Sequence, residues 1–193
     1  NNTPLRYSNT KRGSDKDLWL KAESEELFRL LRDTGTMHFI NPSTKPSNRL
    51  ASYYNPQVKV KVKDGVIVRR IRGTYGGNIS DYAGDRSSHT ADLQTFKLLL
   101  NAVVSEDVKF MTADIKDFYL GTTLESSGYM YLRRDQLPTD IQLAFKDSII
   151  WDNQNRALVE ITKGIYGLPQ AGRLARLKLT ALLAKHGYVP APN

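Results

Sequence analysis

The chain has 193 residues, 40% of them hydrophobic, and a formal net charge of +8; this length buries a core and fits one domain, or one domain with a lobe. It contains no cysteine, which excludes a disulfide framework, a thiolate zinc site and a cysteine nucleophile. No apolar run approaches the roughly 20 residues of a membrane span and no charged-then-apolar leader opens the chain, so a soluble, intracellular protein is expected, with a surface that attracts polyanions, nucleic acid first and an anionic membrane surface second.

Residues 1–14 are polar and aperiodic and read as a flexible lead-in. Asp15 then stands as the N-cap of an amphipathic helix in which Leu18, Trp19, Ala22, Glu26, Leu27, Leu30 and Leu31 recur at helical spacing, and Gly35 stops it. A short strand is expected over 37–40 and a loop over 41–48, broken by Pro42 and Pro46. From Gln57 to Lys63 valine and polar residues alternate strictly, Asp64 and Gly65 form the strongest two-residue hairpin signal, and Val66 resumes the strand. This predicts a β-hairpin with its valines on one side and Lys59, Lys61 and Lys63 on the other. Such lysines either protect an edge from association or present a basic stripe to phosphate. Arg69, Arg70 and Arg72 follow beside a bend loosened by Gly73, Gly76 and Gly77; guanidinium forks grip phosphate bidentately.

Thr90 is expected to cap a helix through Leu93, Phe96, Leu98, Leu99, Leu100, Ala102 and Val103, apolar on most sides and therefore buried. The apolar run 108–111 leads into a strand ending at Asp114. Further strands are expected at 129–132 and, after a turn at 153–155, at 158–161. A charged helix or loop spans 134–146 and a basic helix 171–186. Helices and strands are interspersed without strict alternation, so the fold class is α+β.

Asp114 at a strand end supplies the hard oxygen ligand that magnesium requires, and the carbonyl of Ile115 is a second. The backbone amide of Asp117 is within reach of a triphosphate, and Tyr119 offers a flat wall under a sugar. Read structurally, the same segment is a strand end with Phe118 and Tyr119 as core aromatics. Other motifs carry less: the glycines after Arg72 lack the Lys-Ser or Lys-Thr of a phosphate loop, and no Gly-x-Ser-x-Gly elbow is present. His38, His89 and His186 lack metal-ligand spacing.

The run from Asp114 through Lys116 and Asp117 to Gly121, then Tyr129, Met130 and Pro138, then Gly164-Ile165-Tyr166-Gly167-Leu168-Pro169-Gln170-Ala171-Gly172-Arg173, resembles in order and spacing the reverse transcriptase of copia-type LTR retrotransposons. Trp19, Ala22, Glu23 and Leu27 are similar to that family's opening helix, and Arg70 and Arg72 fall where it carries a Lys-x-Arg finger motif. The resemblance covers residues 15–188.

It implies the fingers and part of the palm of a right-hand polymerase over 15–193, with a ferredoxin-like palm sheet left incomplete, acting as an RNA-directed DNA polymerase by two-metal phosphoryl transfer. Residue by residue, it implies Asp114 as the catalytic metal ligand with the Ile115 carbonyl beside it. Arg70, Arg72, Asp117, Phe118, Tyr119 as sugar gate, and Gln170 would face the incoming nucleotide; Gly172 and Arg173 would border the template. The implied cofactor is Mg2+, with Mn2+ as substitute. The implied partners are an RNA template, a DNA primer, deoxynucleoside triphosphates and the thumb, RNase H and integrase domains of a polyprotein, in cytoplasmic virus-like particles.

The family completes its metal site with an adjacent Asp-Asp pair, and this sequence contains no adjacent aspartates. The chain is therefore expected to be a piece truncated before that hairpin, and inactive alone. The alternatives are a domesticated or relic nucleic-acid-binding module that grips phosphate through Lys59, Lys61, Arg70, Arg72 and the last helix without catalysis, and a capsid-associated piece with no ligand.

Overall fold

The computed structural model describes residues 5–88, 92–107 and 109–190. The α+β class expected from the sequence is the one adopted. Strands β1 (Met37–Phe39), β2 (Ser52–Lys63), β3 (Val66–Tyr75), β4 (Thr123–Arg133) and β5 (Arg156–Lys163) are joined by helices α1 (Tyr7–Thr10), α2 (Lys16–Phe28), α3 (Leu93–Ser105), α4 (Thr139–Ala144) and α5 (Ala171–Ala184). The strands form one mixed sheet in the order β1-β5-β4-β2-β3. All neighbours are antiparallel except β2 and β4, which run parallel through Ser52 with Met130 and Tyr53 with Tyr131.

Beyond that contact β2 pairs with β3 in the predicted hairpin, whose outer residues 59–68 are exposed. Asp64 and Gly65 take φ of 51° and 76°, the double left-handed conformation of a type I′ turn, whose twist matches that of the flanking strands. Lys59 faces Arg70 and Gln57 faces Arg72 across the ladder, so the predicted basic face is continuous over both strands.

Helix α2 ends as expected, but by a route the sequence did not indicate. It passes into a π-helical turn, Arg29–Asp33. Gly35 then takes a φ of 56°, and the Thr36 N–H donates to Leu30 O at 2.8 Å, a left-handed closure one residue wider than a Schellman motif, as the π turn before it requires. Leu27 and Leu30 from this segment pack with Met37, Met130, Leu132, Ile161 and Ile165 in the main core, all fully buried.

Five expectations require correction. The lead-in is not loose chain over its described part: α1 packs on α2, Thr10 is buried, and Tyr7 Oη and Lys11 Nζ both donate to the fully buried carboxylate of Glu23. Asp15 occupies the N-cap position of α2 but makes no capping hydrogen bond, because its carboxylate pairs with Arg69.

Thr90 lies outside the described residues, and the cap of α3 is Asp92, whose Oδ1 accepts the Thr95 N–H at 2.7 Å. None of the residues of α3 is buried; an apolar surface all round states a need for a partner, and among the described residues no helix or strand packs closely against this one. Finally, Val108 lies outside the described residues, and 109–115 form no strand but exposed chain. The sheet edges, β1 and β3, pair with nothing in that segment, so no ladder holds it. Among the described residues no helix is long and apolar enough to cross a membrane.

Candidate functional site

A cleft of about 480 Å³ opens between three pieces of chain. Helix α2 and its π turn contribute Ala22, Glu25, Glu26 and Arg29; β3 contributes Arg69, Arg70, Ile71 and Arg72; the exposed segment contributes Asp114, Ile115, Lys116 and Asp117; and Tyr166 closes one side. Five of the residues singled out in the sequence, Asp114, Ile115, Asp117, Arg70 and Arg72, therefore share one site. They come from parts of the chain more than forty residues apart.

Backbone approach fixes Tyr166. Gly167 has a φ of 85° and lies so near Tyr75 that a Cβ would sit 2.3 Å from its carbonyl oxygen. The Tyr75 N–H donates to Tyr166 O at 2.7 Å. Gly164 is pressed against Tyr119, where a Cβ would meet the carbonyl oxygen at 2.6 Å. Glycine at both positions is a steric requirement. The ring so placed stacks under the Arg72 guanidinium at 4.0 Å and meets Tyr119 edge-on at 5.2 Å, geometries favourable for cation–π and aromatic pairs.

The remaining motif residues stand off the cleft. Tyr119 reaches it only through Tyr166, with Phe118 beside it at 5.8 Å. Gln170 is 6% exposed at the start of α5, and its Oε1 has no hydrogen-bond partner among the described residues. Gly172 lies against Ser88, and Arg173 Nε donates to Asp85 Oδ2 at 2.9 Å. The residues assigned to a template and those assigned to phosphate thus form two neighbouring groups bridged by Tyr119, whose hydroxyl lies 3.9 Å from the Cβ position of Gly172.

Sequence reading missed the polar centre of the cleft. Glu26, 6% exposed, accepts from Arg29 Nε at 3.0 Å, from Arg29 Nη2 at 2.5 Å and from the Gly73 N–H at 2.8 Å. Arg29 also pairs with Asp117, which has a φ of 55°, a conformation that aspartate tolerates better than most residues. Burial works against the Arg29 charge, but Glu26 and then Asp117 outweigh it, so the guanidinium is held more firmly protonated than usual. The available signal was Glu26 itself, a carboxylate on the inward stripe of an amphipathic helix with an arginine three residues on.

The cleft as a whole is lined by five cations and four carboxylates. Arg69 is paired with Asp15, while Arg70, Arg72 and Lys116 have no carboxylate partner among the described residues. Of the four carboxylates that line the cleft, Glu26 and Asp117 are engaged by Arg29, which leaves Glu25 and Asp114, both exposed. Among the described residues no three His, Cys, Asp or Glu side chains gather in a group able to hold a metal. A two-metal site asks for several hard oxygen ligands about two ions, and the donors present do not meet that requirement. No family model, curated protein or solved structure matches the chain.

Proposed function

We propose that this cleft receives the triphosphate of a nucleotide, and that the chain represents the fingers and part of the palm, with a ferredoxin-like sheet, of an RNA-directed DNA polymerase. One observation carries the reading: Asp114 and Asp117 share a cleft with three cations, Arg70, Arg72 and Lys116, that have no carboxylate partner among the described residues. Guanidinium and ammonium groups converging on a concave site suit a polyphosphate. The Tyr166 ring under Arg72 holds one guanidinium in a fixed plane.

In the proposed enzyme Asp114 is one ligand of the catalytic Mg2+ or Mn2+, and the others are a later pair of aspartates that these 193 residues do not include. The template and primer would lie past Tyr119 toward Gly172 and Arg173, the latter exchanging Asp85 for a phosphate. The polyprotein setting, with thumb, RNase H and integrase domains in a cytoplasmic particle, belongs to the same proposal.

Equilibrium dialysis with deoxythymidine triphosphate is expected to show binding that Arg72→Ala weakens by about tenfold, the scale of one charge-assisted contact. Primer extension with all four deoxynucleotides and magnesium is expected to show no incorporation. No detectable triphosphate binding overturns the reading of the cleft, and robust incorporation abolished by Asp114→Asn overturns the predicted inactivity.

A second reading is favoured by the continuous basic face of Lys59, Lys61, Arg70 and Arg72: a nucleic-acid-binding module without catalysis. Its mark is oligonucleotide affinity that falls steeply with salt, needs no magnesium and survives Asp114→Asn.

A further inference from the structure

The two walls of the cleft belong to different parts of the fold. Arg70 and Arg72 stand on β3, which is held in a ladder; Asp114 stands on exposed chain that no ladder holds. One side chain touches the supports of both. Arg29 donates two hydrogen bonds to Glu26, and the other oxygen of Glu26 accepts the Gly73 N–H, next to Arg72. The remaining terminal nitrogen of Arg29 pairs with Asp117, three residues beyond Asp114. The π turn begins at Arg29 itself, whose carbonyl oxygen accepts the Thr34 N–H at 2.9 Å and the Thr34 hydroxyl at 2.7 Å. Such turns trade hydrogen-bond geometry for the aim of a side chain and recur at functional positions.

We propose that Arg29 is a positioning residue that ties the Asp114 segment to the Arg72 strand, so that an anionic ligand meets both walls in register. The identity of the ligand rests on the triphosphate reading; the tie between the walls does not. A merely structural arginine would stabilise its own helix without making either wall sensitive to the other.

The test uses the 193-residue chain and two readouts, amide hydrogen exchange and dialysis against deoxythymidine triphosphate. Asp117→Asn removes the charge of the far partner at a partly exposed position, 27%, and leaves only a neutral acceptor for Arg29. It is expected to speed exchange of the Gly73 amide about fivefold, the scale of one weakened hydrogen bond. Triphosphate affinity is expected to fall about tenfold in Asp117→Asn and in Arg29→Met, with the double variant no weaker than the worse single one, the mark of a shared interaction. Because Arg29→Met strands the charge of Glu26, the pair Glu26→Gln with Arg29→Met serves where the single variant does not fold; it is expected to lose affinity to the same degree. Unchanged Gly73 exchange in Asp117→Asn, or additive affinity losses, overturns the proposal. If the native chain binds no triphosphate, the reading of the cleft fails, and Gly73 exchange alone decides whether Arg29 ties the walls.

Discussion

Helices α2 and α3 have the same length, 13 residues each, and opposite fates. Helix α3 is the more apolar, yet none of its residues is buried, and Leu98 and Val104 are 70% and 83% exposed. Helix α2 is charged along much of its length, yet it buries Trp19, Ala22 and Leu27 together with Glu23, Ser24 and Glu26. The difference is partnership. Helix α2 packs on β3 and α4, and its buried polar groups each have a hydrogen-bond partner, Tyr7 and Lys11 for Glu23, Asp140 for Ser24, Arg29 and Gly73 for Glu26. Burial of a polar group is tolerable only when it is so satisfied, whereas apolar side chains gain nothing without a surface to meet.

Paired truncations measure this contrast, and the largest effect is expected on the packed side. Leu30→Ala, at a fully buried position following α2, is expected to cost about 3 kcal/mol in urea unfolding, the transfer and cavity terms together. Leu98→Ala in α3 is expected to stay within about 0.5 kcal/mol, as surface changes do. Equal losses would show that α3 is buried in solution and would dissolve the comparison.

Acid sharpens it with a smaller effect. The Arg49 hydrogen bond holds Asp81 below the ordinary carboxylate range, and that of Arg133 does the same for Asp135. The backbone and hydroxyl of Ser87, and then Arg173, lower Asp85 to about 2. A carboxyl that titrates lower in the folded state adds stability above its unfolded value near 4, lost as pH falls through the folded one. Burial raises Glu23 instead, which acts in the opposite sense: its protonation is favoured in the fold, so it adds stability on acidification. The Thr95 backbone amide lowers Asp92 and, against the cost of desolvation, the Arg156 backbone and side chain lower Asp152. Five lowered carboxyls against one raised give a melting temperature level above about pH 5 and falling between about pH 4 and 2. A melting temperature that rises on acidification would mean that Glu23 dominates and that the packed half is strained by its own buried charge.

What the sequence disclosed follows the same division. The hairpin at Asp64 and Gly65 was legible because turn chemistry and strand alternation are local, and the α2 stop at Gly35 because a left-handed residue is local too. The meeting of Arg70, Arg72, Asp114 and Asp117 was legible only through a pattern of motifs, since nothing local brings them together. The Glu26–Arg29–Asp117 chain was not, because it exists only once β3 lies on α2. Burial of α3 was misjudged for the mirror reason: composition reports what a helix could bury, and only the fold supplies something to bury it against. Of the residues that the motif groups with the nucleotide and the template, Gln170 is buried and Arg173 pairs with Asp85.

The smallest expected stability change comes from the residue on which the functional reading depends most. Asp114 is exposed on chain without a ladder, so Asp114→Asn is expected to shift unfolding by less than about 0.5 kcal/mol. Its effect on ligand binding has a sign fixed by electrostatics. Without a divalent cation its carboxylate repels a triphosphate held by Arg70 and Arg72, and removing that charge is expected to tighten binding about twofold, consistent with a partly screened interaction near the surface. With magnesium present the gain should vanish or reverse, because the carboxylate then has a cation to share with the phosphates. Dialysis of the native chain and the variant, with magnesium and with a chelator, separates the two regimes. A variant that loses more than about 1 kcal/mol of stability would instead make Asp114 a structural strut, and affinity indifferent to magnesium in both proteins would leave the cleft as a basic surface, with the Lys59, Lys61, Arg70 and Arg72 face as its working part.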